Sequence, residues 1–258
     1  VSAHVFVVDP AAAHAARVGD RLAITGSEGE HAVRVARVRP GERIQAVDGQ
    51  GRRIHGLVRE LGRDSLVAEV LDVVQEPIPD PAFVVVQALP KGEHAELAVD
   101  QLTQAGVDRI VPWAAANCVV RWDEQRSVRG RGKWQQVALA AAKQSRRAWI
   151  PQVQALTGTP EVLAMVPQAE LSLVLHEGAA AALAEVDPPM TGTVLLIVGP
   201  EGGLAEQERA MLTEAGAHQV RLGEQVLRTS LAGAAALAVL QAAGRWRSSG
   251  SPARAVQG

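Results

Sequence analysis

LLIVGPEGGLAEQE, residues 195–208, is the stretch on which the fold turns. Four apolar residues run into Gly-Pro-Glu-Gly-Gly, and an acidic, helix-compatible segment follows. A strand with no polar face belongs in a parallel sheet covered on both sides. The same grammar repeats outward. AFVVVQAL (82–89), VDRIVPW (107–113), LSLVLH (171–176), TVLLIVG (193–199) and HQVRLG (218–223) read as strands. Helices are predicted at 93–106, 132–146, 159–166, 178–185, 204–215 and 229–246, several closed by glycine or opened by proline. Alternating strands and helices specify an α/β domain.

Residues 1–75 follow a different pattern. HVFVV (4–8), RLAIT (21–25), RIQAVD (43–48), RRIHGLV (52–58) and SLVAEVLDV (65–73) are short alternating runs. DGQG (48–51) joins two of them as a hairpin turn, and one helical piece falls near 29–38. This is the pattern of a small β-barrel or tight sheet. EPIPDP (76–81), with three prolines in six residues, is a stiff linker between 1–75 and a second domain at 82–247. The end, 248–258, has the composition of a disordered tail.

The chain has 258 residues, a net charge of −2 and one cysteine, Cys118. A lone thiol makes no internal disulfide and suits a reducing compartment; a small core residue is the simplest role for it. The seven histidines show no metal-ligand spacing, so no metal is expected. The N-terminal VSAHVFVVDP has no basic lead or long apolar core, and no apolar run is long enough to cross a bilayer. A cytoplasmic protein is expected. The small net charge hides two basic runs. Residues 31–63 hold eight arginines against three acids, a local net of +5. Residues 121–147 hold eight basic residues against two acids, a local net of +6, with RSVRGRGK (126–133) expected as a flexible loop. One such run is ordinary surface charge. Two, in two domains of a chain with net negative charge, point to a polyanionic partner.

In parallel sheets ligands bind beyond the carboxyl ends of the strands. Three such ends carry glycine: VLHEG (174–178), IVGPEGG (197–203) and RLGEQVLRTS (221–230). GPEGG is no phosphate loop, because neither Lys nor Ser/Thr follows it; its spacing is wrong for a dinucleotide fingerprint, and it lacks the serine of a nucleophile elbow. Two readings remain: a tight strand-to-helix turn, or backbone held open for a ligand. In the last helix, Thr229 or Ser230 can serve as N-cap, and the Ala/Gly-rich body fits either a buried core helix or a helix packed against a second subunit.

IVGPEGGLAEQE (197–208), followed by VRLGEQVLRTSLA (220–232), resembles the signature of the SPOUT-class RNA methyltransferases, and within them the RsmE family, which methylates N3 of one uridine of 16S ribosomal RNA. HAVRVARVRPGERIQAVDGQG (31–51) is similar to that family's PUA-like N-terminal domain. AVDQLTQAGVDRIVPW (98–113), RW (121–122) and AAKQSRRAWIP (141–151) match its landmarks in order. Two departures stand out. Ser230 and Leu231 replace the family's Glu-Thr, removing a carboxylate, and Gln101 and Gln104 stand where Lys and Glu are usual.

The resemblance implies a deep trefoil knot in the parallel-sheet domain, a homodimer, and S-adenosylmethionine (SAM) wrapped by three loops. Those loops supply His176, Glu177 and Gly178; Gly199, Pro200, Gly202 and Gly203; and Leu222, Gly223, Gln225, Val226 and Leu227. For such a reaction a fixed cation beside the uridine anion would lower the barrier; Arg228, in the cofactor loop, is the candidate, and Glu201 is a candidate proton acceptor, a partner to the sulfonium, or merely a ligand for loop amides. Arg34, Arg37, Arg52, Arg53, Arg126, Arg129, Arg131, Lys133, Arg146 and Arg147 would grip 16S rRNA of the small ribosomal subunit. The alternatives are a non-catalytic RNA-binding dimer, and a methyltransferase of the same fold acting on another RNA.

Overall fold

The computed structural model describes residues 4–248, so the expected tail lies, but for its first residue, outside the described residues. The chain forms two compact units. The first takes residues through Ile78 together with Ala142–Ile150; the second takes Pro79–Ala141 and residues from Pro151 onward.

The first unit contains β1 (His4–Val7), α1 (Pro10–Ala15), β2 (Arg21–Ile24), α2 (Gly26–Glu30) running into a π-helical turn at His31–Val35, β3 (Arg43–Val47), β4 (Arg52–Leu61) and β5 (Leu66–Gln75). The strands form one sheet in the order β1-β3-β4-β5-β2, parallel between β1 and β3 and antiparallel elsewhere. Its inward residues, Phe6, Ile24, Ile44, Ile54 and Leu66 among them, make a separate apolar core. The DGQG turn is held by Asp48, whose Oδ1 accepts from Gln50 N at 2.6 Å and Arg52 N at 3.0 Å. Gly51 has φ +93°, and a Cβ there would come within 2.5 Å of the Trp149 ring. Trp149 belongs to the 142–150 segment, which joins this unit rather than the second domain in which its sequence position places it. Its apolar groups explain why: Ala148 packs with Val5 and Val47, and Trp149 Nε1 donates to Pro77 O at 2.9 Å. Lys143 Nζ meets Glu28 at 2.6 Å.

The second unit contains β6 (Ala82–Ala88), α3 (His94–Gln104), β7 (Arg109–Trp113), α4 (Glu124–Gln144, its last three residues in the first unit), β8 (Gln152–Val153), α5 (Thr159–Met165), β9 (Leu171–Leu175), β10 (Thr193–Val198), α6 (Glu206–Glu214), β11 (His218–Val220), α7 (Thr229–Ala243) and α8 (Arg245–Ser248). All six strands are parallel, in the order β11-β9-β10-β6-β7-β8. β6 and β10 are buried almost throughout, which is why they read as apolar on both faces. Val198 pairs with Gln87 and Ile197 with Val174, so the carboxyl tips of β9, β10 and β6 stand side by side. No helix among the described residues is long and apolar enough to cross a membrane.

Three local expectations are corrected. RSVRGRGK is the first part of α4, not a loop. Its glycines do not break the helix because Gly130 sits against Trp122, where a Cβ would approach the ring to 2.6 Å, and Trp122 packs edge-on against buried Trp134. Packing overrides propensity there. Residues 178–185 form turns with one 3-10 turn at Leu183–Glu185 instead of a helix. Arg221 takes the carbonyls that a helix would use: its backbone N–H donates to Ala181 O, and its guanidinium to Ala179 O and Ala180 O. Finally, the N-cap of α7 is Arg228, without a side-chain cap bond, and the Thr229 hydroxyl is directed elsewhere.

Candidate active site

A cleft of about 420 Å³ opens at the tips of β9, β10 and β6. Its walls are the three glycine-bearing loops, the first turn of α7 and the start of α3. Strand order brings these together: β10 lies between β9 and β6, so the loop after each contributes.

Of the residues expected around a cofactor, His176, Glu177, Gly199, Pro200, Gly203, Leu222, Gly223, Gln225, Val226 and Leu227 line this cleft; Gly178 and Gly202 do not. Glu201 and Arg228 line it too. His94, Leu204 and Ala232 also line it and were not singled out in the sequence; Thr229 and Ser230, read there as helix-cap candidates, line it as well. His94 follows the tip of β6, a fourth strand end without the glycine-rich signature. Only knowing that β6 neighbours β10 would have pointed to it.

The glycines are bare for different reasons. Gly203 has φ +71°, a left-handed conformation that side chains resist. A Cβ on Gly199 would meet Leu204 at 3.0 Å. At Gly223 the nearest atom to such a Cβ is Gln225 Oε1 at 3.8 Å, so this is the glycine that keeps space open.

Side-chain roles follow from partners. Glu201 Oε1 accepts from Lys91 N at 2.9 Å, tying the GPEGG tip to the turn before α3. His176 Nε2 is bonded to Arg209 of α6, and its Nδ1 lies 3.5 Å from Glu177 Oε2. Because an arginine only donates, His176 Nε2 is the acceptor, and the ring proton sits on Nδ1. The Thr229 hydroxyl donates to Gly199 O at 2.5 Å and accepts from Gln87 Nε2 at 3.2 Å. Gln87 is fully buried on β6, also donates to Ala88 O, and leaves its own Oε1 unpartnered. A closed polar relay thus joins β6, the first turn of α7 and the loop after β10. Arg228 is exposed, and its guanidinium has no hydrogen bond or ion pair among the described residues.

A second support holds the loop after β7. Buried Glu208 of α6 accepts from Ala116 N at 2.9 Å and Thr159 Oγ1 at 2.7 Å, and Asn117 Nδ2 donates to Gly203 O at 3.2 Å. Cys118 is buried within that loop, and burial pushes its thiol above the usual range.

The basic residues separate into two groups. In the first unit, Arg52 donates to Ala13 O and Ala16 O, and Arg53 bonds Glu76, Gln45 and Arg146 O. These two guanidiniums hold the fold together. Arg34 is exposed beside Asp64 and Glu30, Arg37 is exposed with φ +52°, Arg146 is exposed with φ +57°, and Arg147 is half-buried. In the second unit, Arg126, Arg129, Arg131 and Lys133 are exposed on α4; Arg131 donates to Val153 O and Lys133 lies 3.4 Å from Glu96.

Residues 77–241 match the model of an RNA methyltransferase domain, and residues 24–71 that of an RNA methyltransferase PUA domain. The ribosomal RNA small subunit methyltransferase E of Mycobacterium bovis is 45% identical over 233 residues, covering 88% of this chain and 89% of that protein. The crystal structure of a ribosomal RNA small subunit methyltransferase E from Neisseria gonorrhoeae bound to S-adenosyl methionine superposes with a TM-score of 0.82 at 28% identity, covering 93% of this chain and 98% of that one. A methyltransferase from Legionella pneumophila in complex with SAM has the same TM-score at 25% identity, covering 95% of this chain and 99% of that one. The two matched domains and the 45% identity across most of both chains place this protein in the ribosomal RNA small subunit methyltransferase E family.

Proposed function

We propose that this chain transfers a methyl group from SAM to N3 of a uridine in 16S rRNA of the small ribosomal subunit. One observation carries the reading: a single cleft gathers GPEGG with the LGEQVLR segment and holds an unpartnered guanidinium, Arg228, on its wall. The cleft fits the cofactor. Its volume is within the range for small-molecule sites, about 300–1,000 Å³. Pro200, Leu222, Val226 and Leu227 offer apolar surface, while the N–H groups of Glu177, Gly223 and Leu227 have no backbone acceptor among the described residues and can serve polar ends. Bound there, SAM supplies an activated methyl carbon.

The chain's own residues supply placement and charge. Uridine N3 is a poor nucleophile until its proton leaves, and the resulting anion spreads over N3, O2 and O4. Arg228 stays charged and offers paired donors to those oxygens, lowering the barrier as an oxyanion hole does. N3 lies on the pairing edge, so the base must be presented unstacked and unpaired. The exposed cations of each unit, Arg34, Arg37 and Arg146 in the first and Arg126, Arg129, Arg131 and Lys133 in the second, would hold the RNA backbone.

The protein would act as a cytoplasmic homodimer. Exposed Leu97 of α3, Leu231 and Val239 of α7 and Trp246 of α8 support a subunit contact through those helices. The return from β11 at one sheet edge to α7 beside β10 would be the threaded pass of a trefoil knot. Stretching the chain from its ends should then stop short of its full contour length.

Calorimetry with SAM, followed by reverse transcription of rRNA from treated small subunits, tests the function. N3 methylation blocks pairing, so a new stop should appear at one uridine. SAM binding without any such stop would favour the RNA-binding reading, which the loss of the family's carboxylate at Ser230 makes the natural competitor.

A further inference from the structure

We propose that His94 is the catalytic base that takes the N3 proton of the substrate uracil; this rests on the methyltransferase reading above. Five ionisable side chains line the cleft: His94, His176, Glu177, Glu201 and Arg228. Arg228 has no basic atom to offer. His176 is engaged at Nε2 by Arg209, and Glu177 faces its other nitrogen. Glu201 accepts from Lys91 N through one carboxylate oxygen, Oε1. Ser230 and Leu231 bring no carboxylate where the resemblance led one to expect it. Of these bases His94 alone, half-buried, has no hydrogen bond or ion pair among the described residues.

Its placement is built. His94 is the first residue of α3, three residues beyond Lys91, so the Glu201–Lys91 bond fixes the turn that delivers it to the cleft. Glu201 is therefore a positioning residue for this base. Lys91 and Glu93 precede it in the same turn, Glu96 lies in the first turn of α3, and His176, Glu177, Glu201 and Arg228 share the cleft wall with it. Imidazole is the side chain suited to collecting a proton near neutral pH.

The step balances as follows. The N3–H bond breaks, its electron pair stays on the uracil beside Arg228, and the proton moves to an imidazole nitrogen of His94. The N3 pair then forms the N3–CH3 bond while the S–CH3 bond of SAM breaks and sulfur keeps that pair. The products are N3-methyluridine and S-adenosylhomocysteine, and imidazolium returns its proton to water.

The test compares the full chain with His94→Gln and His94→Ala on small subunits lacking this methyl group, with calorimetry of SAM binding alongside. Turnover should fall about 10²- to 10⁴-fold, as for loss of a general base. SAM affinity and the KM for subunits should stay within about threefold. The acidic limb of the parent's pH–rate profile should disappear in His94→Gln, and added imidazole should partly restore His94→Ala. His94→Gln with parental turnover, or with the acidic limb intact, overturns the proposal. A parent chain that binds no SAM overturns the function itself, which the calorimetry reads separately.

Discussion

Thr229→Val is the most informative single change at the cleft. Valine keeps the shape of threonine and removes only the hydroxyl. That hydroxyl donates to Gly199 O at 2.5 Å and accepts from Gln87 Nε2 at 3.2 Å. Peptide 199–200 has no N–H, because residue 200 is proline, so the Gly199 carbonyl is its sole polar group. Leaving that half-buried carbonyl unpaired costs up to about 1–3 kcal/mol, and Gln87 loses a further bond of about 1 kcal/mol. Gln87 Nε2 keeps its bond to Ala88 O, while its Oε1 stays unpartnered. The total, about 2–4 kcal/mol, corresponds to a melting drop of about 4–16 °C for a domain of this size. Part of the loss should reappear as weaker SAM binding, because the ligand must then order the Gly199 loop itself. Differential scanning calorimetry with and without SAM measures both. Thr229→Ser keeps the hydroxyl and should recover most of the loss, and Gln87→Leu combined with Thr229→Val should be less damaging than the sum of the two. A valine variant that melts within 1 °C of the parent, roughly the calorimetric noise relative to that range, would refute the relay, as would a serine variant just as weak.

Other outcomes follow from the same geometry. Arg228→Ala should lower turnover by about 10²- to 10³-fold while SAM affinity, measured by calorimetry, changes little; parental methylation would remove Arg228 from the mechanism. RNA affinity should fall steeply with salt, and the triple change Arg126→Ala, Arg129→Ala, Lys133→Ala should flatten the log–log slope by about two units for single-stranded contacts; fluorescence anisotropy across a salt series reads this. The Cys118 thiol, raised by burial, should resist iodoacetamide in the folded chain at mildly alkaline pH and react after unfolding. The sign is set by the folded thiol ionising later than the unfolded one: its contribution to stability is complete below the ordinary thiol pKa and is lost as pH climbs through the folded value.

The parallel sheet was legible because β6 and β10 are short, Val- and Leu-rich runs, apolar on both faces and alternating with helical segments. The hairpin at DGQG was legible from its turn chemistry. What was not legible depended on distant partners. Gly130 and Gly132 read as loop residues until Trp122 is known to cover Gly130. The alanine-rich 178–185 reads as a helix until Arg221 is seen to claim its carbonyls. Arg52 and Arg53 count as free charge in a local sum, yet each is consumed by backbone or carboxylate groups more than twenty residues away. Local composition cannot distinguish a cation facing solvent from one closing a fold.

The cleft shows the same division on a smaller scale. Glycine at three strand tips suggests that backbone is kept bare for a ligand, and Gly223 fits that idea. Gly199 and Gly203 do not need it: one is confined by Leu204 and the other by its own φ of +71°. A glycine-rich loop therefore mixes residues required by the fold with residues required by the ligand, and only the surroundings separate them. Strand order adds what glycine counting omits. With β10 between β9 and β6, the turn after β6 has to meet the GPEGG tip, and the Glu201–Lys91 bond is where it does. Of the roles the sequence left open for Glu201, proton acceptor, sulfonium partner or ligand of loop amides, the bond to Lys91 N is of the last kind. On the proposal above, the proton-accepting chemistry falls to His94, three residues beyond the tethered Lys91.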